Sequence, residues 1–145
     1  MSIWFTTVTP EQLNLTRRET MVSNLGIEFT EVGEDSLSAR MPVDARTIQP
    51  FGMLHGGASV ALAETLGSVA ASLTIDTTQK IPVGMEVNAN HLRPVTSGWV
   101  YGMVRPVHLG GMTQVWEIRI NDEQGRLVCI SRLTLAIINR GGQEK

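Results

Sequence analysis

The chain has 145 residues, 42% of them hydrophobic and 18% charged, with a net charge of −2. That length suits one domain around a single core. The charge balance excludes a disordered chain, a basic nucleic-acid surface and a polybasic membrane patch.

The lone cysteine, Cys129, excludes an internal disulfide or a thiol metal cluster and suits a reducing cytoplasm. The first residues, Met1 to Thr6, lack the basic start and long apolar stretch of a secretory leader, so none is expected.

Pro10 to Arg18 reads as a short helix, with Thr9 as N-cap, Pro10 at the first helical position and Glu11 and Gln12 in the first turn. Ser36 to Val43 alternates, with Leu37, Ala39, Met41 and Val43 on one face, as in a half-buried strand. Ile27 to Val32 is its expected hairpin partner through Gly33-Glu34-Asp35. Asp44 to Leu54 has no period and contains Pro50 and Gly52, so it is a loop leading into the next element.

From Gly57 to Ile75 runs a helical segment of Ala, Ser, Thr, Gly, Val, Leu and Ile whose one ionisable side chain is Glu64. A carboxylate inside it, and its dilution by Ser and Thr, argue against a membrane span. Leu62, Leu66, Val69 and Leu73 form a bulky stripe suited to covering a sheet. Gly57, Ala61, Glu64, Ser68 and Ala71 form a second stripe of small or polar residues, which leaves space beside Glu64 like one wall of a pocket.

Beyond Lys80 the pattern is strand after strand: Val83 to Arg93, Trp99 to His108, Gln114 to Asn121 and Arg126 to Asn139. The turn segments between them are short, which favours antiparallel meander connections. Residues 1–140 are therefore expected to form a single α+β domain, a long helix covered by five or six antiparallel strands, with 141–145 as a flexible tail.

The chemistry concentrates where the long helix starts. An isolated carboxylate in an apolar helix is costly to bury unless something compensates it. The preceding His55-Gly56-Gly57 places bare backbone N–H groups at the positive end of the helix dipole. An oxyanion site and a tuned acid thus fall within one short segment.

These residues resemble a known family. The run Gln49-Pro50-Phe51-Gly52-Met53-Leu54-His55-Gly56-Gly57-Ala58-Ser59 leading to Ala63-Glu64 is similar to the signature of hotdog-fold thioesterases. The similarity continues through Asn88 to Pro94 and Pro106 to Gly110, and spans Ile3 to about Ile138. Within the family it points to the group of the dihydroxynaphthoyl-CoA thioesterases of menaquinone biosynthesis and the proofreading thioesterases of enterobactin synthesis.

The resemblance implies a hotdog fold, a long central helix wrapped by the antiparallel sheet, in a homodimer that pairs into a homotetramer. It implies hydrolysis of an acyl-CoA, with an aromatic acyl group, or of an acyl group on an aryl carrier protein. No cofactor or metal is implied. Glu64 would be nucleophile or general base, and the Gly56 N–H would polarise the thioester carbonyl. Gln49 would position water or acyl group, His55 would support the carbonyl site, and Ser68 would line the acyl pocket across the dimer interface. Gly84, the segment His91, Leu92, Arg93 and Pro94, and the segment His108, Leu109, Gly110, Gly111, Met112 and Thr113 would hold the coenzyme A arm. One local departure is that Gly110 to Thr113 stands where such relatives carry more polar or basic residues.

The chemistry asks for the same parts. Thioester hydrolysis needs a water or carboxylate to attack and donors aimed at the developing oxyanion, whereas the thiolate leaves without a strong acid.

Plainer readings exist for each residue. His55 equally well caps the helix, Ser68 could bond a carbonyl one turn earlier, and His91 and Arg93 suit a solvated strand end. Trp4, Trp99 and Trp116 suit core or interface anchors, Gly67 a site of close packing, and Cys129 a small packed residue.

Two rival functions follow from the same residues. A hydratase would use His55 and Glu64 as an acid–base pair, but the two are separated by the glycine corner. A non-catalytic acyl-CoA sensor would bind without turnover, and has no use for an isolated carboxylate.

Overall fold

The architecture, taken from a computed structural model, is described for residues 1–16 and 18–141. In chain order the elements are α1 (Pro10–Thr16), α2 (Met21–Asn24), β1 (Glu28–Val32), β2 (Leu37–Pro42), α3 (Gly56–Leu73), β3 (Lys80–His91), β4 (Trp99–Leu109), β5 (Thr113–Asn121) and β6 (Leu127–Asn139). One six-stranded sheet in the order β1-β2-β4-β5-β6-β3 wraps around α3, and every adjacent pair is antiparallel. This is the helix-in-sheet arrangement that the sequence implies.

Three readings need adjustment. α1 stops at Thr16, and of the expected last turn Arg17 lies outside the described residues. α2 was not foreseen, because a single turn of helix gives no periodicity; Thr20 N–H donates to Ser23 Oγ at 3.1 Å to start it. The expected meander holds for β4-β5-β6 but fails for β3, which lies at the far edge against β6. The connection from β3 to β4 instead crosses the strand ends. Leu92 N–H donates to Val128 O at 2.8 Å, Val95 O accepts from Leu54 N–H at 2.8 Å, and Gly98 O accepts from Val43 N–H at 2.8 Å. A sheet curled around a helix makes that short crossing possible.

Leu62 and Leu66 of α3 are fully buried with Val100, Val104, Trp116, Ile118, Ile120, Leu133 and Leu135 of the sheet. Burying such side chains contributes roughly 1.5–3 kcal/mol each. Helix and sheet approach so closely that a Cβ at Gly67 would lie 2.5 Å from Leu133 Cδ2, and one at Gly102 2.7 Å from Leu66 Cδ1. Val69 is only half-buried and Ala71 is buried, so the bulky stripe is narrower at the surface than the sequence suggests. Trp4 stacks on Trp116 with ring centroids 6.3 Å apart and donates its Nε1–H to Gly33 O. No helix among the described residues is long and apolar enough to cross a membrane.

Candidate active site

The loop before α3 is held by its own hydrogen bonds. Thr47 is buried; its hydroxyl donates to Pro42 O at 2.7 Å and accepts from Asp44 N–H at 3.1 Å. Ile48 and Leu54 form an isolated bridge, and between them Gln49 N–H donates to Met53 O at 2.8 Å. That tight reversal needs Gly52, whose φ is +82°. The Arg46 guanidinium grips Asp44, Nη2 to Oδ2 at 2.7 Å, and holds that carboxyl below its usual range. The Gln49 side-chain oxygen accepts from Phe51 N–H. Its NH₂ has no acceptor among the described residues and lies on a cavity wall.

α3 begins where His55 caps it. The imidazole Nδ1 accepts from Gly57 N–H at 2.8 Å, so the ring proton sits on Nε2. His55 O takes the N–H groups of Ala58 and Ser59 at 2.9 and 3.2 Å. His55 is thus the N-cap, through Nδ1. The Gly56 N–H has no acceptor among the described residues, and a Cβ there would lie 2.9 Å from His91 Nε2. Gly56 is therefore a bare donor at the positive end of an 18-residue helix. It lines a cavity of about 370 Å³ with Gln49, Ser59, His91, Arg93 and Pro94.

Glu64 lies two turns on, half-buried, with its Oε1 accepting from Ser68 Oγ at 3.3 Å. The Thr65 and Ser72 hydroxyls turn back to helix carbonyls, but Ser68 does not. A Cβ at Gly84 would lie 2.8 Å from Glu64 Oε1, so the backbone of β3 covers the carboxylate from the sheet side. The open side faces a second cavity of about 450 Å³, lined by Gly57, Ala61 and Val87 among others.

The expected site residues thus form two groups. Gln49, Gly56 and the segment His91 to Pro94 come together, and Glu64, Ser68 and Gly84 come together. Gly56 and Glu64 are eight residues apart in one helix, about 12 Å along its axis, and line different cavities. Gly84, expected against coenzyme A, sits against the carboxylate. His108 to Thr113 form the β4–β5 hairpin, where Gly110 N–H donates to Thr113 O at 2.9 Å. That hairpin is at the opposite end of the sheet from His91: Thr113 pairs with Ala136, whereas His91 pairs with Cys129. Met53, Ser59 and Val128 in the first cavity and Met21, Val22 and Leu25 in the second were not foreseen. They are ordinary apolar or small residues whose placement only the fold decides.

Chemically, one group offers an oxyanion donor and a positioned amide, and the other a carboxylate with a single hydroxyl partner. Joined, they hold what attack on a thioester carbonyl requires.

Residues 51–129 match the family model of the thioesterase superfamily. The chain is 54% identical over 136 residues to a 1,4-dihydroxy-2-naphthoyl-CoA hydrolase of Escherichia coli, covering 94% of this chain and 99% of that one. It is 55% identical over 136 residues to a proofreading thioesterase of Cronobacter turicensis, covering 94% and 98%. The crystal structure of a thioesterase variant from Pseudomonas aeruginosa superposes with a TM-score of 0.94 at 50% identity, covering 96% of this chain and all of that one.

Proposed function

We propose that this chain, a thioester hydrolase that belongs to the thioesterase superfamily, hydrolyses aromatic acyl-CoA at sites shared between two copies. The acyl class is carried over from the dihydroxynaphthoyl-CoA hydrolase to which the chain is similar. The observation that supports the shared site is the position of the two residue groups on one free strand.

β3 is an edge, paired on one side only and exposed from Val83 to Glu86. Gly84 on it marks Glu64, and His91 on it marks Gly56. An antiparallel pairing of β3 with its copy, about a two-fold axis between Val87 and Asn88, sets Gly84 of one chain opposite His91 of the other. The same operation brings Glu64 toward the partner's Gly56, and the β4–β5 hairpin toward the partner's His91 to Pro94. It also pairs an edge that would otherwise stay open. Tyr101, Met103, Val107, Leu109 and Met112, exposed on the outer face of the sheet and its hairpin, supply apolar surface for two dimers to pair into a tetramer.

In the joined site the Gly56 N–H receives the thioester oxygen as it gains charge, and the dipole of α3 adds to it. The Gln49 amide holds water or the acyl group. Glu64 either removes a proton from that water or attacks the carbonyl itself, and the thiolate leaves unprotonated. Ser68 holds the carboxylate in place, and His91, Leu92, Arg93 and Pro94 with His108, Leu109, Gly110, Gly111, Met112 and Thr113 of the other copy receive coenzyme A.

The test is thiol release by the wild type and by Glu64→Gln, which keeps the Ser68 contact but cannot take a proton. Benzoyl-type, dihydroxynaphthoyl-type and straight-chain acyl-CoAs are the substrates, and the variant should lose about 10²–10⁴-fold in kcat. Full turnover by Glu64→Gln would overturn the role of Glu64. Tight binding of every acyl-CoA with no turnover by the wild type would turn the reading to a sensor, or to a substrate held on a carrier protein.

A further inference from the structure

The cavity beside Glu64 continues away from the carboxylate between α3 and the short α2. Its walls are Met21, Val22 and Leu25 from the α2 segment, Val60 and Ala61 from α3, and Val87 from β3. Its volume, about 450 Å³, is within the ~300–1,000 Å³ range of small-molecule sites. Among the described residues, Glu64 is the one ionisable side chain on these walls, and Thr65 the one hydroxyl. The Thr65 hydroxyl already donates to Ala61 O at 2.7 Å, and the Gly57 N–H to His55 Nδ1 at 2.8 Å. A separate hollow of about 340 Å³ shares Met21, Leu25 and Gly57 but leads away toward Ile48, Arg46 and the His55 ring, and is more polar than the trough.

From these walls we infer that the trough is the acyl pocket, that it selects by size rather than by ring hydroxyls, and that Met21 sets its width. The inference rests on the thioesterase reading above and adds the substrate feature the site recognises. A carboxylate at one end and, among the described residues, no free side-chain donor along the walls of this cavity fit an apolar body whose carbonyl end points to the chemistry. A site built to bond a hydroxyl rejects the analogue lacking it by about 10⁴–10⁵-fold, whereas an apolar pocket separates the two by about 10² at most. Met21 is 64% exposed at the rim, so its replacement reshapes the opening without touching the core.

The experiment measures kcat/KM for 2-naphthoyl-CoA, its 1,4-dihydroxy derivative and benzoyl-CoA with wild type, Met21→Trp, Met21→Ala and Glu64→Gln. Wild type should turn over 2-naphthoyl-CoA within about 10²-fold of the dihydroxy compound. Met21→Trp should lower the naphthoyl-to-benzoyl ratio about tenfold, through KM more than kcat, and Met21→Ala should raise it. A loss well beyond 10²-fold on removing the hydroxyls, or a ratio unchanged in both Met21 variants, would overturn the inference. If Glu64→Gln abolishes turnover in the same assays, the thioesterase reading survives that failure. Absence of turnover by the wild type on all three compounds would sink both together.

Discussion

Gly56 separates what the backbone tolerates from what the reaction tolerates. A methyl there would meet the His91 ring at 2.9 Å, but it meets a movable side-chain tip, and its φ is outside the left-handed region. Gly56→Ala should therefore fold with an unchanged melting temperature while kcat falls about 10²-fold, as the methyl and the displaced His91 crowd the carbonyl off the N–H. Equal loss of activity and stability would make Gly56 a structural residue only. His55→Ala should act in the opposite sense, costing about 1 kcal/mol in urea denaturation through the lost cap. Glu64 and Gly56 were legible in the sequence because a lone carboxylate and a bare helix start are unusual in themselves. The cap role of His55 was not, because the residue type alone does not say which backbone group its ring meets. Gly84 shows the matching limit: a glycine in a strand announces a close approach, but only the fold shows that the approaching atom is Glu64 Oε1.

Elements carry the next level of constraint. α3 lies so close to the sheet that Gly67→Ala would push a methyl to 2.5 Å from Leu133 Cδ2 in a buried position. Overpacking of that kind costs about 1–3 kcal/mol and outweighs the gain of up to ~1 kcal/mol from better helix propensity. The urea midpoint should fall, and a rise would show that Leu133 repacks freely. At the β5–β6 hairpin, burial pushes the Asp122 carboxyl up. The Arg126 N–H and guanidinium and the Gln124 N–H outweigh it and hold the group below its usual range. A folded-state value depressed below the unfolded one adds stability that is fully present above the unfolded value and is lost as pH falls through the folded one. The urea-stability gap between wild type and Asp122→Asn should stay constant from pH 7 to about 5, then close in acid below about 4. The hairpin itself was legible from Asp122 to Gly125, as were β1, β2 and the β4-β5-β6 meander, because their periods and turn residues are local. α2 and the placement of β3 beside β6 were not, because one is too short to repeat and the other depends on the curl of the sheet.

At the scale of the whole molecule, a single chain holds both halves of the chemistry but about 12 Å apart along one helix, each against its own cavity. If the site is shared between two copies, as proposed, two inactive chains can make one active site. In a dimer of Gln49→Ala with Glu64→Ala, the proposed arrangement would give one site Gln49 from one chain and Glu64 from the other, and the second site neither. Random pairing after co-refolding yields such dimers half the time, so about a quarter of wild-type activity should return. Neither variant alone should show it. A carboxylate that served the Gly56 of its own chain would leave every mixture as inactive as its components. Recovery should also vanish when β3 is blocked at its edge, as by Met85→Pro: proline removes a backbone donor and introduces a ring that obstructs a new strand. Because Met85 sits at the register shift between Gly84 and Glu86 and is 67% exposed, that change should leave the pairing of β3 with β6 largely intact. Light scattering would then report monomers that retain the far-ultraviolet spectrum of the folded chain and hydrolyse nothing.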